Sequence, residues 1–347
     1  MKIRPWTILL ALGMVALLMA SAACGDDDDS GATEPPVADE DTPGTTTNMD
    51  FFFGATNAPA FLVADGEGFF AEEGIDANIS VTDEDIGPFF AGQAEVALIS
   101  PWEVGEFIND GEEIAVFGTA GTTTYFNGLA VTDENFPDPY GSIEDLVGTK
   151  LGIPGFGTGT WAAFEGYVQS QFGLDATSDF DVVEASPGAL LGLLETGEIQ
   201  GALLFSGQTL TAIGSGDYEL VFRFDQDWNE QTGQPVSIST LVARTSWLAE
   251  NPDLAQSVVT ALDKAVEWMA ANTTEFAEGG KYESIAQDAG WLNDETTNLA
   301  VQAFIAAETY YTRESLYTDA YIDSSYEFVL VVLENPPAQD VIFYRLD

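Results

Sequence analysis

The tetrad Gly157-Thr158-Gly159-Thr160, within the run GFGTGT, places backbone N–H groups and two hydroxyls directly ahead of an apolar segment of helical type. The first N–H groups of a helix have no intrahelical partners, so such a turn can donate hydrogen bonds to a polar ligand. No Gly-Lys-Ser/Thr follows, so the run is not a phosphate loop of the NTPase kind. Thr160 also stands where a dinucleotide-binding turn needs its last glycine. Alone, the run reads equally well as a Gly-rich turn with Thr160 capping the helix. Three other turns follow short apolar runs of strand type: Ala55-Thr56-Asn57 after FFFG, Ser100-Pro101-Trp102 after VALI, and Phe205-Ser206 after ALL. In α/β folds, ligands sit beyond the carboxyl ends of strands. The candidate binding residues are therefore Thr56, Asn57, Ser100, Trp102, Gly157, Thr158, Gly159, Thr160 and Phe205. Thr123, in a run of three threonines, joins them as a cleft residue, with a Thr-rich strand as the alternative. Trp102 and Phe205 offer rings that either stack on a ligand or pack a helix.

Other chemistries are ruled out by composition. The 347 residues include no histidine and one cysteine, so imidazole-based nucleophilic catalysis and His or paired-Cys zinc sites are excluded. With 9 basic against 58 acidic side chains, the net charge is −49. No basic surface for a nucleic-acid backbone can be built from that balance. Carboxylates are abundant, but no spacing singles out a catalytic pair. Asp83-Glu84-Asp85 reads as a solvated loop, and Phe51 to Phe53 as core. Hence no cofactor, no metal and no enzymatic activity are expected.

The elements that must carry these turns alternate. MDFFFGA is a strand, PAFLVADGEGFFAEEG a helix, IDANISV a strand, DIGPFFAGQ a short helix, EVALIS a strand, WEVGEFIND a helix and EIAVFGTA a strand. The order then restarts with TKLGIP, a helix beginning at Trp161, FDVVEA, ALLGLLETG and IQGALLFS. Gly92 precedes Ala97 by five residues, and Gly197 precedes Ala202 by five, which aligns the two passes. Two similar α/β lobes with mostly parallel sheets follow from this pattern. Crossings are expected near Asn127–Thr132 and Val236–Ala243. Beyond PVSISTLVAR the chain turns helical, with Ser246 as an expected N-cap and Leu254, Val258, Leu262 and Val266 at helical spacing. The lobes are read as residues 49–129 plus 240–347, and 130–239.

Residues 1–23 read as an export signal, with Lys2 and Arg4 ahead of an apolar run, Thr7 to Ala20, that is short for a membrane span. Cys24 follows small residues in LMASAAC, in the manner of a lipoprotein cleavage site, although Ser21 replaces the common Leu. Residues 24–48 hold acid, Pro, Gly and Thr and almost nothing apolar, so they read as a disordered tether. Such a coil reaches about 25–30 Å.

PAFLVADGEGFFAEEGI, FFAGQAEVALISP, SIEDLVGTKLGIP, LLETGEIQGALLFS and WLAENPDLAQSVVTALDKAVEWM, in that order, resemble the solute-binding proteins of ABC importers. The branch is the one serving nitrate, sulfonates, taurine and thiamine-pyrimidine precursors, the NMT1/THI5-like proteins. The resemblance spans roughly Phe51 to Asn335. It implies a type II, two-lobed, periplasmic-binding-protein-like clamshell, α/β with a helical C-terminal part. It also implies a small ligand held between the lobes and delivered to a permease with its ATPase. A chain lipidated at Cys24 would be held, as a monomer, at the outer face of the cytoplasmic membrane. Removing the signal leaves Lys150, Arg223, Arg244, Lys264, Lys281, Arg313 and Arg345 as the only cations, none within the four turns. A helix N-terminus supplies about half a charge. The favoured ligand is therefore a neutral or zwitterionic heterocycle, such as a thiamine-pyrimidine precursor or a flavin. Taurine, a sulfonate or nitrate is the alternative, and a tethered ligand sensor a further one.

Overall fold

The computed structural model describes residues 46–82, 86–119, 128–132, 142–204, 208–209, 212, 218–222, 224–289 and 316–346. Cys24, Asp83 to Asp85, Thr123 and Phe205 lie outside them, as do the signal and nearly all of the tether.

The described residues form ten strands in three hydrogen-bonded sheets, of two, three and five strands. In the first lobe, β1 (Thr47–Phe53) and β2 (Ile75–Val81) pair in parallel. β10 (Thr240–Arg244) lies antiparallel between β3 (Val96–Ile99) and β4 (Ile114–Gly118). β1 sits beside β3, giving the spatial order β2-β1-β3-β10-β4. The second lobe holds β5 (Leu129–Thr132), β6 (Lys150–Ile153), β7 (Asp181–Glu184), β8 (Gly201–Leu203) and β9 (Tyr218–Phe222), in the order β7-β6-β8-β5-β9. Matched from their first strands, the two orders are the same, and each lobe receives its antiparallel strand from a crossing. The aligned glycines have a physical cause. Gly92 and Gly197 both turn the chain through the left-handed region, with φ of +72° and +70°, just before β3 and β8, where a Cβ is strained.

Helices cover the sheets. The first lobe carries α1 (Pro59–Gly66), α2 (Phe69–Glu72), α3 (Ile86–Phe90) and α4 (Pro101–Asn109). The second carries α5 (Gly159–Phe172), α6 (Pro187–Glu195) and α7 (Phe224–Thr232). α8 (Thr245–Glu250), α9 (Pro252–Ala271), α10 (Glu283–Asp288), α11 (Asp319–Val332) and α12 (Gln339–Ile342) form the helical return. Three expectations change in detail. The helix expected from Pro59 to Gly74 breaks at Gly68, which adopts φ +80°. The helix expected from Ser246 is two helices broken at Asn251-Pro252, where proline removes an N–H and disfavours helix at the residue before it. Its N-cap position is Arg244, and Ser246 is helical. β9 and α7 occupy a stretch, Tyr218 to Thr232, whose pattern had pointed to no element.

Two large cores follow. The first lies between the strands of the first lobe and α1, α2 and α9. There Phe51, Phe53, Phe61 and Phe70 are all buried, with the Phe53 and Phe61 ring centroids 4.0 Å apart. The second core is shared by both lobes. It takes Ile99, Val116 and Val242 from strands of the first lobe and Leu129, Ile153 and Leu203 from strands of the second. Trp102 of α4, Phe164 and Tyr167 of α5, Trp228 of α7 and Phe328 of α11 complete it. Phe328 stands 5.2 Å from Trp102, 5.0 Å from Trp228 and 6.2 Å from Tyr167, centroid to centroid. α11 thus packs on α4 of one lobe and α5 of the other. Among the described residues no helix is long and apolar enough to cross a membrane.

Candidate functional site

Register fixes which strand ends the chain crossings join. β10 enters the first lobe with Thr240 opposite Ile99, the last residue of β3, and Leu241 opposite Gly118, the last of β4. β5 enters the second with Leu129 opposite Leu203, the last of β8. Both chain crossings therefore join carboxyl ends of parallel strands. The described turns that carry candidate residues, after β1, β3 and β6, leave from these ends.

The first-lobe end is rich in buried hydroxyls. Ser100, Thr119, Ser237, Ser239 and Thr240 are all buried there. The Thr240 Oγ1 donates to the Ile99 carbonyl at 2.8 Å. Ser237 Oγ is buried without a hydrogen-bond partner. Ser237 and Ser239 were not among the expected site residues. Their signal in PVSIST is hydroxyls two apart, which places them on one face of an extended chain. Thr56 and Asn57 lie in the turn after β1, half-buried, with the Asn57 N–H donating to the Gly54 carbonyl at 2.9 Å.

Ser100 caps α4. Its Oγ accepts from the Glu103 N–H at 3.2 Å, and the Glu103 carboxylate accepts from the Ser100 N–H at 3.3 Å and from its hydroxyl at 2.5 Å. This reciprocal capping box satisfies donors at the first turn of α4. Trp102 is 1% exposed. Its ring packs on Phe328, and its Nε1–H donates to the Gly159 carbonyl at 3.0 Å. Of the two roles open to Trp102, helix packing is therefore the one its contacts describe.

In the second lobe, Gly155 to Thr158 form the turn ahead of α5. The helix begins at Gly159, two residues earlier than expected, and its cap is Thr158 rather than Thr160. Thr158 Oγ1 accepts from the Trp161 N–H at 3.2 Å and donates to the Gly155 carbonyl at 2.9 Å. Gly157 is exposed, whereas Gly159 and Thr160 are buried. The Phe156 N–H ties the turn to Glu184 at the end of β7. Gly159 packs closely on Glu103. A Cβ there would stand 2.5 Å from Glu103 Oε2. The structure thus brings Ser100, Trp102, Thr158, Gly159 and Thr160 to one junction of α4 with α5. Thr123 and Phe205 lie outside the described residues.

The charge distribution is one-sided. Lys264 pairs with Glu72 and Glu73, Lys281 with Glu67, Arg244 with Glu112 and Arg345 with Asp319. Lys150 opens β6, at the strand end opposite the α5 turn. None of the described cations is at the junction. Among the described residues no group of three or more Cys, Asp or Glu forms a metal cluster. Elsewhere on the second lobe, a cavity of 620 Å³ is lined by residues that include Tyr167, Asp227, Glu230 and Gln231, and by none of the candidates. Burial, with the Asp227 charge, pushes the Tyr167 phenol up to about 12, so it stays protonated.

Two α/β lobes of the same strand order, each returning an antiparallel strand from a crossing, define the periplasmic-binding-protein fold. Solved structures share it. A protein of Bordetella bronchiseptica RB50 superposes with a TM-score of 0.66 at 17% identity, over 87% of this chain and 95% of that one. The aliphatic sulphonate binding protein SsuA of Escherichia coli gives 0.60 at 12% identity, over 82% and 94%. The nitrate-binding protein NrtA of Synechocystis PCC 6803 gives 0.55 at 15% identity, over 83% of each chain. No curated protein matches the chain. The sequence model of the NMT1/THI5-like family matches residues 55–276, and the chain belongs to that family.

Proposed function

We propose that this protein is the extracytoplasmic solute-binding component of an ABC importer, and that it holds a small organic molecule between its lobes for delivery to a permease. The observation that carries this reading is the junction of two facing sets of strand ends. They supply hydroxyls and helix-start N–H groups, with no described cation among them. The lobes of this reading are residues 49–129 with 240–347, and 130–239. Cys24 carries the lipid, and residues 24–48 form the tether that lets a monomer reach its transporter. Two acyl chains would bury many methylenes at about 0.8 kcal/mol each, enough for stable anchoring.

The ligand that best suits the site is a neutral or zwitterionic heterocycle of the thiamine-pyrimidine or flavin kind. Thr56, Asn57, Ser100, Thr123, Gly157, Thr158, Gly159, Thr160 and Phe205 are offered as its contacts, with Trp102 behind them. A sulfonate, taurine or nitrate ligand is the second reading. It is favoured by the named ligands of two similar structures. A tethered sensor would use the same site without a permease.

A thermal-shift screen of the purified protein tests the binding role. A ligand selective for the native state at ten times its Kd adds about 1.4 kcal/mol by linkage. At least one heterocycle should raise the melting temperature in a saturable way. A screen of aminopyrimidines, flavins, sulfonates and nitrate in which none does so would count against solute capture.

A further inference from the structure

Two glycines, one in each lobe, receive the same end of α11. Gly105 lies inside α4 of the first lobe, where a Cβ would stand 2.7 Å from Leu333 Cδ1. Gly166 lies inside α5 of the second lobe, where a Cβ would stand 2.7 Å from the Val332 Cα and 2.8 Å from the Val331 carbonyl oxygen. Val331 and Val332 close α11 and Leu333 follows directly, so three consecutive residues occupy both seats. Glycine is a poor helix former, and here each one makes room for a third element. Around the seats the lobes also touch directly. Trp102 of α4 is buried and donates its Nε1–H to the Gly159 carbonyl of α5 at 3.0 Å. Phe328, one turn back along α11, packs on both Trp102 and Tyr167. Asn109 Nδ2, at the end of α4, donates to the Asn335 carbonyl at 2.8 Å. None of these contacts is a chain crossing. Together they make a third attachment between the lobes, beside the crossings at β5 and β10. Accordingly, Pro43–Asp347 form one compact unit, not one unit per lobe.

We propose that the end of α11 is a clip that fastens the two lobes and limits the angle through which they can part. Two chain crossings alone would leave the lobes free to swing about a hinge. Lifting α4 from α5 takes Trp102 out of its buried place and breaks its bond to Gly159. It also pulls α11 off at least one glycine seat. Each of these steps exposes apolar surface or strips a polar group of its partner. Smaller rotations leave the clip seated. The inference goes beyond solute capture, because it holds whatever the cleft binds.

Double electron–electron resonance between spin labels on the two lobes tests it. Labels at Gln256→Cys on α9 and Glu195→Cys on α6 take exposed helical positions, in a Cys24→Ser background that leaves no other thiol. Three further changes are compared with this labelled parent: Gly166→Ala, Trp102→Phe and Phe61→Leu. Gly166→Ala forces the α11 backbone off its seat on the second lobe, and Trp102→Phe removes the N–H that reaches Gly159. Phe61→Leu loosens the first core, which includes no residue of the second lobe. The parent should give one narrow distance peak. Gly166→Ala and Trp102→Phe should each widen it to about one and a half times the parent width or more, by admitting other lobe angles. Phe61→Leu should keep the parent width although it lowers the melting temperature. If Trp102→Phe does not fold, Gly166→Ala decides alone. Parent width in a folded Gly166→Ala or Trp102→Phe protein overturns the proposal. So does a parent with two resolved peaks, or equal widening by Phe61→Leu. A thermal screen without a ligand would leave these peaks unchanged and count only against solute capture.

Discussion

Phe328→Ala is expected to lower the unfolding free energy by about 3–5 kcal/mol, the range for deleting a fully buried phenylalanine. Phe328 is fully buried, and its ring meets Trp102 of the first lobe and Tyr167 and Trp228 of the second. Little can collapse into the vacated space, because the three neighbours are themselves pinned. The Trp102 indole donates to Gly159, the Trp228 indole donates to Ser324 Oγ at 2.9 Å, and Gln231 donates to the Tyr167 hydroxyl. The cost is therefore expected at the upper end, since it grows with the cavity that remains. Urea unfolding followed by tryptophan fluorescence measures it, because two of the three neighbours are the reporting rings. A loss below about 1 kcal/mol, well under the cavity range, would show that α11 does not hold the lobes as described.

Gly166→Val is expected to cost about 3 kcal/mol, at the top of the usual overpacking range. Gly166 lies inside α5, where a Cβ would stand 2.7 Å from the Val332 Cα and 2.8 Å from the Val331 carbonyl oxygen. Backbone atoms at the end of α11 cannot swing aside as a side chain could. Even Gly166→Ala should destabilise, by about 1 kcal/mol net, although alanine favours helix by up to about 1 kcal/mol. Gly192→Ala in α6 is the matched comparison, since no atom lies within 4 Å of its Cβ position. There the helix preference acts alone, and stability should rise by about 0.4–1 kcal/mol. Opposite signs at the two glycines locate the α5–α11 contact. Stabilisation at both would remove it.

Much of the fold was legible because it is written twice. The two passes of strand and helix, with Gly92 and Gly197 in register, correspond to two lobes of one spatial strand order. That signal is local, carried by apolar runs and by turns that need glycine. The details that went astray were set by single residues at element ends. Ser246 has the chemistry of an N-cap, yet the chain becomes helical at Thr245, and Pro252 then breaks what looked like one long helix. Thr158 and Thr160 are equivalent in type, and only the Gly155 carbonyl and Trp161 N–H show which one caps.

The candidate junction was legible in outline from the rule of strand ends. The motif Ser100-Pro-Trp-Glu103 is a capping box visible in the sequence, so the orientation of Glu103 was within reach. Its neighbour Gly159 lies 56 positions further on and comes from the other lobe. No periodicity encodes such a contact, because it depends on how the two lobes meet. The buried hydroxyls of Ser237, Ser239 and Thr240 likewise gain meaning only once β10 is seen between β3 and β4.

The most direct test of the account is titration calorimetry of the purified protein with an aminopyrimidine, a flavin, ethanesulfonate and nitrate in parallel. The account predicts saturable binding of a heterocycle with one site per chain, and no tight binding of either anion. Tight binding of ethanesulfonate or nitrate, with none of the heterocycles, would contradict it.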